Sequence, residues 1–194
     1  KSLLMFLSCL FLILASVGPQ IGSKLTELKR EGLDIMILLD TSKSMDAIDI
    51  TPSRLEKAKY EILRLINNLK GDRIGIIVFS GSAHLHLPLT TDYSAAKLFL
   101  NSIDTDIVQT HGTDLSGALK LALNQIEENN EKYKIILLVS DGEDHQGEAL
   151  ETANLAKERK IYVYSIGVGT NGGGPIPIYD NKGNRIEFKK DENN

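Results

Sequence analysis

Apolar runs without polar alternation recur along this chain, and each gives way to a stretch whose apolar positions return with a period near 3.6. "LDIMILLD" (33–40), "RIGIIVFSG" (73–81), "KIILLVSD" (134–141) and "IYVYSIGVG" (161–169) are rich in branched residues, and the spacing predicts four strands buried on both faces. "AHLHLPL" (83–89) alternates instead and contains Pro88, which predicts an edge strand. A helix is predicted over 52–70, with Thr51 as N-cap and Pro52 at the first helical position. Its inward stripe is Leu55, Ala58, Ile62, Leu65 and Leu69, and Gly71 closes it. Further helices are predicted over 93–102, 114–127 (Leu115, Ala118, Leu119, Ala122 and Ile126 inward) and 147–160. Strands alternating with helices imply an α/β domain, doubly wound, with a mostly parallel sheet covered by helices on both faces. After 169 the text changes to "TNGGGPIPIYDNKGNRIEFKKDENN", in which "DNKGN" signals a hairpin between two short strands.

The N-terminal pattern is different. "LLMFLSCLFLILASV" (3–17) carries no charge on any side. About 15 residues make roughly 22 Å of helix, and extension through Ile21 reaches the ~30 Å of a bilayer's hydrocarbon core. A transmembrane helix over 1–22 is the expectation, then a linker over 23–32, the α/β domain over 33–170, and a hairpin with a truncated C-terminal part of the domain over 171–194. A secretory signal or a buried core helix are the alternatives for the first segment. Lys1 in place of Met suggests that the true start precedes it. Lys24, Lys29 and Arg30 follow the run without setting an orientation.

Composition narrows the function classes. The 194 residues suffice for one domain plus an appendage. Net charge is −4, from 22 basic and 26 acidic residues, and no block of Lys and Arg runs along the chain, so nucleic-acid binding is set aside. Cys9 is the only cysteine, which excludes an internal disulfide and a cysteine-based zinc site.

Ligands of open α/β sheets sit outside the carboxyl ends of the strands. Asp40 ends the first strand, Asp141 ends the strand expected beside it, and Thr113 in "THGTDLSGAL" stands at a helix start near the same rim. With Ser42 and Ser44 of "DTSKS", three separated segments deliver two carboxylates and three hydroxyls. Two neighbouring carboxylates repel unless a cation lies between them, and a hard oxygen set without His or Cys suits Mg²⁺ or Mn²⁺ better than Zn²⁺. Asp46, Asp114, Glu143 and Asp144 lie near this rim and are read as solvated or supporting groups. As a bland reading, the same residues are caps and turn formers.

These three segments, "DTSKS", "GTDLSGAL" and "VSDGED", resemble the metal-ion-dependent adhesion site of von Willebrand factor A domains, over roughly 33–169. The resemblance implies that Ser42, Ser44 and Thr113 bind the ion directly while Asp40 and Asp141 act largely through water. It also implies an open position for the Asp or Glu of a protein partner. "DITPSRLEKAK", "DRIGIIVFSGSAHLHLPLTTDYSAAKLFL" and "VSDGEDH" are further similar to the bacterial aerotolerance (Bat) family of membrane-anchored proteins. That resemblance implies a bacterial inner-membrane location with the domain facing the periplasm. It also implies other Bat proteins and a MoxR-type AAA+ ATPase as partners, and a last helix, last strand and final membrane span beyond 194.

Three functions follow: a non-enzymatic binding module, a metal-dependent hydrolase using the same rim, or an assembly scaffold without metal. The hydrolase would need a positioned base, for which His111 and His145 are the nearest candidates without an evident orienting partner. His84 and His86 share a strand face but lack a third ligand. "GVGTNGGG" has neither the glycine spacing nor the following helix of a phosphate loop.

Overall fold

A computed structural model of the chain describes residues 2–16, 32–126, 132–142, 149–179 and 185–189. It divides into two units, 1–30 and 31–194. The first contains one helix, α1 (Ser2–Ser16), apolar on every side. Its 15 residues rise about 22 Å. Among the described residues no helix is long and apolar enough to cross a membrane; the predicted continuation to 22 lies outside them.

The second unit is built on a five-stranded sheet of order β3-β2-β1-β4-β5. The strands are β1 (Asp34–Asp40), β2 (Arg73–Phe79), β3 (Ala83–Thr90), β4 (Lys134–Ser140) and β5 (Ile161–Gly167). β1 runs parallel to both β2 and β4, β4 parallel to β5, and β3 antiparallel to β2. The helices are α2 (Arg54–Asn68), α3 (Tyr93–Asn101), α4 (Leu115–Gln125) and α5 (Ala149–Glu158). A small antiparallel pair, β6 (Pro177–Tyr179) and β7 (Arg185–Phe188), forms the expected hairpin; its turn lies outside the described residues.

Period-two geometry explains why β1 is apolar throughout. Ile35, Ile37 and Leu39 face a core shared with Leu55, Ile62 and Ile66 of α2 and Leu100 of α3, while Met36 and Leu38 face Leu119, Ala122 and Leu123 of α4. Two cores of this kind hold β1 as the central strand and fix its carboxyl end. At its other end Asp34, fully buried, takes two hydrogen bonds from Arg73, Nε at 2.8 Å and Nη2 at 2.7 Å. The paired fork neutralises a carboxylate that would otherwise be costly to bury.

Two expectations are corrected. The N-cap of α2 is Ser53, not Thr51, and the helix begins at Arg54: the Ser53 hydroxyl accepts from the Glu56 amide at 3.2 Å, whereas Pro52 belongs to the preceding turn. β5 is not buried on both faces; Tyr162, Tyr164 and Ile166 are exposed, because among the described residues β5 is the edge of the sheet and nothing packs over those side chains. An apolar run records what a strand can bury and is silent on what covers it.

Truncation of Ile37, at the middle of β1 and fully buried, tests the core's hold on the site. Ile37→Ala should cost about 3 kcal/mol in urea unfolding with an unchanged m-value.

Candidate metal centre

β1 and β4 are hydrogen-bonded neighbours in register, Leu39 opposite Val139, so the residues that follow them emerge side by side. Asp40 is fully buried where β1 ends. Its Oδ1 accepts the Ser42 amide at 2.9 Å, bending the chain into a short turn, and its Oδ2 accepts the Ser140 hydroxyl at 2.7 Å. Ser140 in turn accepts the Gly142 amide at 3.1 Å. A 3₁₀ turn over Lys43–Asp46 follows, and it brings the Ser42 and Ser44 hydroxyls to 3.0 Å of one another. Thr113 is held just before α4, whose N-cap is Asp114: its side chain accepts the Gly117 amide at 2.7 Å, and its own amide donates to the Ser80 carbonyl at 2.6 Å.

Ser42, Ser44 and Thr113 line one cleft of about 580 Å³, together with Lys43, Ser80, His111, Pro175, Ile176 and Lys189. Among the described residues no carboxylate lines it. Asp40 and Asp141 lie buried at the adjoining strand ends, the Asp141 side chain 2 % exposed. All five predicted residues thus emerge at one end of the sheet. Asp46 is instead engaged by the Thr105 hydroxyl at 2.7 Å, and Asp114 serves as a helix cap. Glu143, Asp144 and His145 lie outside the described residues.

Electrostatically the centre is unfinished. Burial pushes the Asp40 carboxyl up from its usual range; hydrogen bonds from Ser42 and Ser140 draw it back, and the nearby charge of Asp141 adds to the rise. Asp141 Oδ2 accepts from Arg54 Nη1 at 2.9 Å, but Asp141 Oδ1 is buried without any hydrogen-bond partner, alone in this among the described side-chain nitrogens and oxygens. A buried carboxylate oxygen without a partner costs free energy, and a dication would satisfy it. The donor set also fits such an ion: oxygen atoms only, two of them on opposed hydroxyls, with carboxylate charge behind them. No group of three or more His, Cys, Asp and Glu that could hold an ion occurs among the described residues, which leaves the mixed hydroxyl and carboxylate set as the candidate.

Sequence reasoning missed four residues. Ser140 orients Asp40, and Arg54, Asp49 and Thr170 form a chain behind Asp141. Arg54 Nε and Nη2 donate to Asp49 Oδ1 and Oδ2 at 2.9 and 3.0 Å, while the Thr170 amide and hydroxyl donate to Asp49 Oδ2 at 2.8 and 3.0 Å. The available signal was an Arg on the inward side of the first turn of an otherwise apolar-faced helix. Arg54 holds the Asp49 carboxyl far below the usual carboxylate range despite its burial, with Thr170 assisting, and Asp49 raises Arg54 in return. His84 is exposed and bonds with the Ser82 hydroxyl at 3.0 Å, whereas His86 is half-buried against Phe99, whose carbonyl lies 3.0 Å from its Nε2.

The fold and this rim place the molecule among the doubly wound domains with an oxygen-lined site at the strand ends. The chain belongs to the von Willebrand factor type A domain family, whose model matches residues 35–143. Among solved structures it is similar to an aerotolerance-related membrane protein from Bacteroides fragilis, at 39% identity and TM-score 0.73, covering 82% of this chain and 82% of that one. It is likewise similar to BatB from Bacteroides thetaiotaomicron, at 41% identity and TM-score 0.74, covering 82% of this chain and 80% of that one. The resemblance to the Bat proteins is thereby borne out. An uncharacterized protein of Borreliella burgdorferi is 28% identical over 172 residues, which cover 86% of this chain and 50% of that protein. The chain spans about half the length of the curated relatives it matches.

Asp49→Asn should lower stability by about 2 kcal/mol at neutral pH, the scale of a buried hydrogen bond to a charged group. The fold favours the ionised form of this carboxyl, so its contribution is complete above the ordinary value of 3.8 and fades as the pH falls below it towards the depressed folded value. Urea titrations of both proteins across that range should show the difference closing on the acid side.

Proposed function

We propose that this chain is a membrane-anchored von Willebrand factor A domain that binds Mg²⁺ or Mn²⁺ through Ser42, Ser44 and Thr113, with Asp40 and Asp141 behind them, and uses the ion to recruit an acidic side chain of a protein partner. The observation that carries the reading is the unpartnered, buried Asp141 Oδ1 at a strand end beside a cleft lined by the hydroxyls of Ser42, Ser44 and Thr113. Both oxygens of Asp40 already accept hydrogen bonds from the chain, which suits an orienting role for it, with its charge acting on the ion through water. A bound dication supplies a concentrated positive charge for which a carboxylate is the natural ligand.

The cleft itself favours such a partner. Among the described residues its walls offer Lys43, Lys189 and His111 and no acid, and Lys43 is itself paired with Asp106 at 2.6 Å, so the lining favours an incoming carboxylate through its remaining basic groups. A surface ion pair alone gives about 0–1 kcal/mol, whereas an ion-bridged contact is stronger and can be removed by chelation. Among the described residues that line the cleft, His111 has no carboxylate partner and no hydroxyl is hydrogen-bonded to a histidine, which favours binding over hydrolysis.

Anchoring is supported by the uncharged α1 and by the description of the Bacteroides fragilis relative as a membrane protein. Placement in a bacterial inner membrane with the domain towards the periplasm, and assembly with other Bat proteins and a MoxR-type AAA+ ATPase, are proposed on the same family resemblance.

Mg²⁺ or Mn²⁺ at a hundredfold excess over Kd should stabilise the protein by about 2.7 kcal/mol. Thermal melts should show this rise in the wild type, with none in Asp40→Ala or in EDTA. Retention of a membrane-extracted partner on the immobilised domain should be lost under the same two conditions; partner retention indifferent to both would remove the metal from the mechanism.

A further inference from the structure

Arg54 occupies a place that the metal reading does not by itself require. It opens α2, is 9 % exposed, and divides its guanidinium between two carboxylates: Nη1 to Asp141 Oδ2 at 2.9 Å, and Nε with Nη2 to the two oxygens of Asp49 at 2.9 and 3.0 Å. Asp141 belongs to the ion site. Asp49 does not; it holds the segment 169–176, whose Gly174, Pro175 and Ile176 form a wall of the cleft.

Four features tie that segment down. Thr170 donates both its amide and its hydroxyl to Asp49 Oδ2. The Ile48 amide donates to the Pro175 carbonyl at 3.2 Å, next to Asp49 in the chain. Gly169, at φ +147, lies over the guanidinium so closely that a Cβ there would come within 3.3 Å of Arg54 Cζ and Nε, in a backbone conformation that L side chains rarely adopt. A Cβ on Gly174 would lie 2.5 Å from Asp49 Cβ. The segment is therefore packed against the Arg54–Asp49 pair by backbone at two points, with no side chain to cushion a change in the pair's position.

We propose that Arg54 is a positioning residue that couples occupancy of the metal centre to the 169–176 wall of the acceptor cleft, a proposal that rests on the divalent-ion reading of the site. Arg54 occupies Asp141 Oδ2, which leaves Oδ1 as the oxygen turned to the ion. Without an ion, one guanidinium serves as counter-charge to two carboxylates. An ion that takes over part of the charge of Asp141 leaves more of Arg54 to Asp49, and the Asp49–Thr170 bonds tighten with it. The fork shape of Arg is needed for this, since it presents donors to two carboxylates at once; a Lys ammonium is a single point of charge. Linkage makes the coupling reciprocal, so the wall that the ion tightens holds the ion more firmly in turn. Loosening Arg54 undoes this and also lets Asp141 turn its Oδ1 away from the ion, a loss of orientation that outweighs the charge it releases.

The test measures Mn²⁺ affinity by titration calorimetry and amide hydrogen exchange at Thr170 and Gly173, using the full chain in detergent, for the wild type, Arg54→Met and Arg54→Lys. In the wild type, Mn²⁺ should slow exchange at both amides. Arg54→Met should bind Mn²⁺ about tenfold more weakly or worse, and at saturation its two amides should exchange as fast as without the ion. Arg54→Lys preserves the charge and serves as the readout if the Met variant does not fold, as judged by circular dichroism; it should lose the slowing of exchange while losing less affinity. Wild-type affinity together with wild-type slowing in a folded Arg54 variant would overturn the coupling while leaving the ion site intact. A flat Mn²⁺ titration in the wild type would overturn the ion site and the coupling with it.

Discussion

The same packing that builds the central strand takes the carboxylates of Asp40 and Asp141 out of water. β1 is buried on both faces by two cores, and the parallel pairing of β1 with β4 brings both strand ends to one place. Negative charge placed there has to be answered, because a buried carboxylate without compensation is among the costliest groups a fold can hold. The chain answers most of it: Ser42 and Ser140 on Asp40, Arg54 on one oxygen of Asp141. One oxygen is left over, and that remainder gives the rim its chemistry.

Seen this way, the hydroxyls and the arginine divide the work. Short side chains on tight turns, Ser42 just before the 3₁₀ turn, Ser44 within it and Thr113 ahead of α4, place neutral oxygens at the open side without adding charge. The long side chain of Arg54 reaches in from α2 and places a positive fork at the closed side. A site with acids buried at the adjoining strand ends and basic groups among its lining residues attracts a cation inside and a carboxylate outside, the order in which an ion-bridged contact would be assembled. The opposite end of the sheet holds a buried carboxylate that is answered in full. There Asp34 is closed by the bidentate fork of Arg73, and neither of its oxygens is left bare.

Much of this was legible in the linear text because it depends on local periodicity and on what ends a strand. The strands, the edge position of β3 with its Pro88, the inward stripe of α4 and the C-terminal hairpin all follow from patterns spanning a few residues. Asp40, Ser42 and Ser44 stand out because a strand that stops on Asp and continues into small hydroxyl residues is an unusual way to leave a sheet, while the expected strand order and the start of a helix place Asp141 and Thr113 beside them. The cap of α2 was misplaced because Thr51 and Ser53 are both good capping residues, and the choice between them was made by the turn around Pro52. β5 was misjudged because its apolar text is the same whether or not another element covers it.

The sequence by itself determined the alternation of strands and helices, the central burial of β1 and the chemical kinds of group that reach the carboxyl ends, because these are set by residue type and spacing within one segment. Only the tertiary structure decided that Ser140 turns to Asp40 and that Arg54 joins Asp141 to Asp49 and through it to Thr170. It alone decided that one oxygen of Asp141 stays unpartnered. Those contacts link residues as far as 121 positions apart. A hydrogen bond across such a separation has no local signature; it exists only after the sheet order has brought its two ends within about 3 Å.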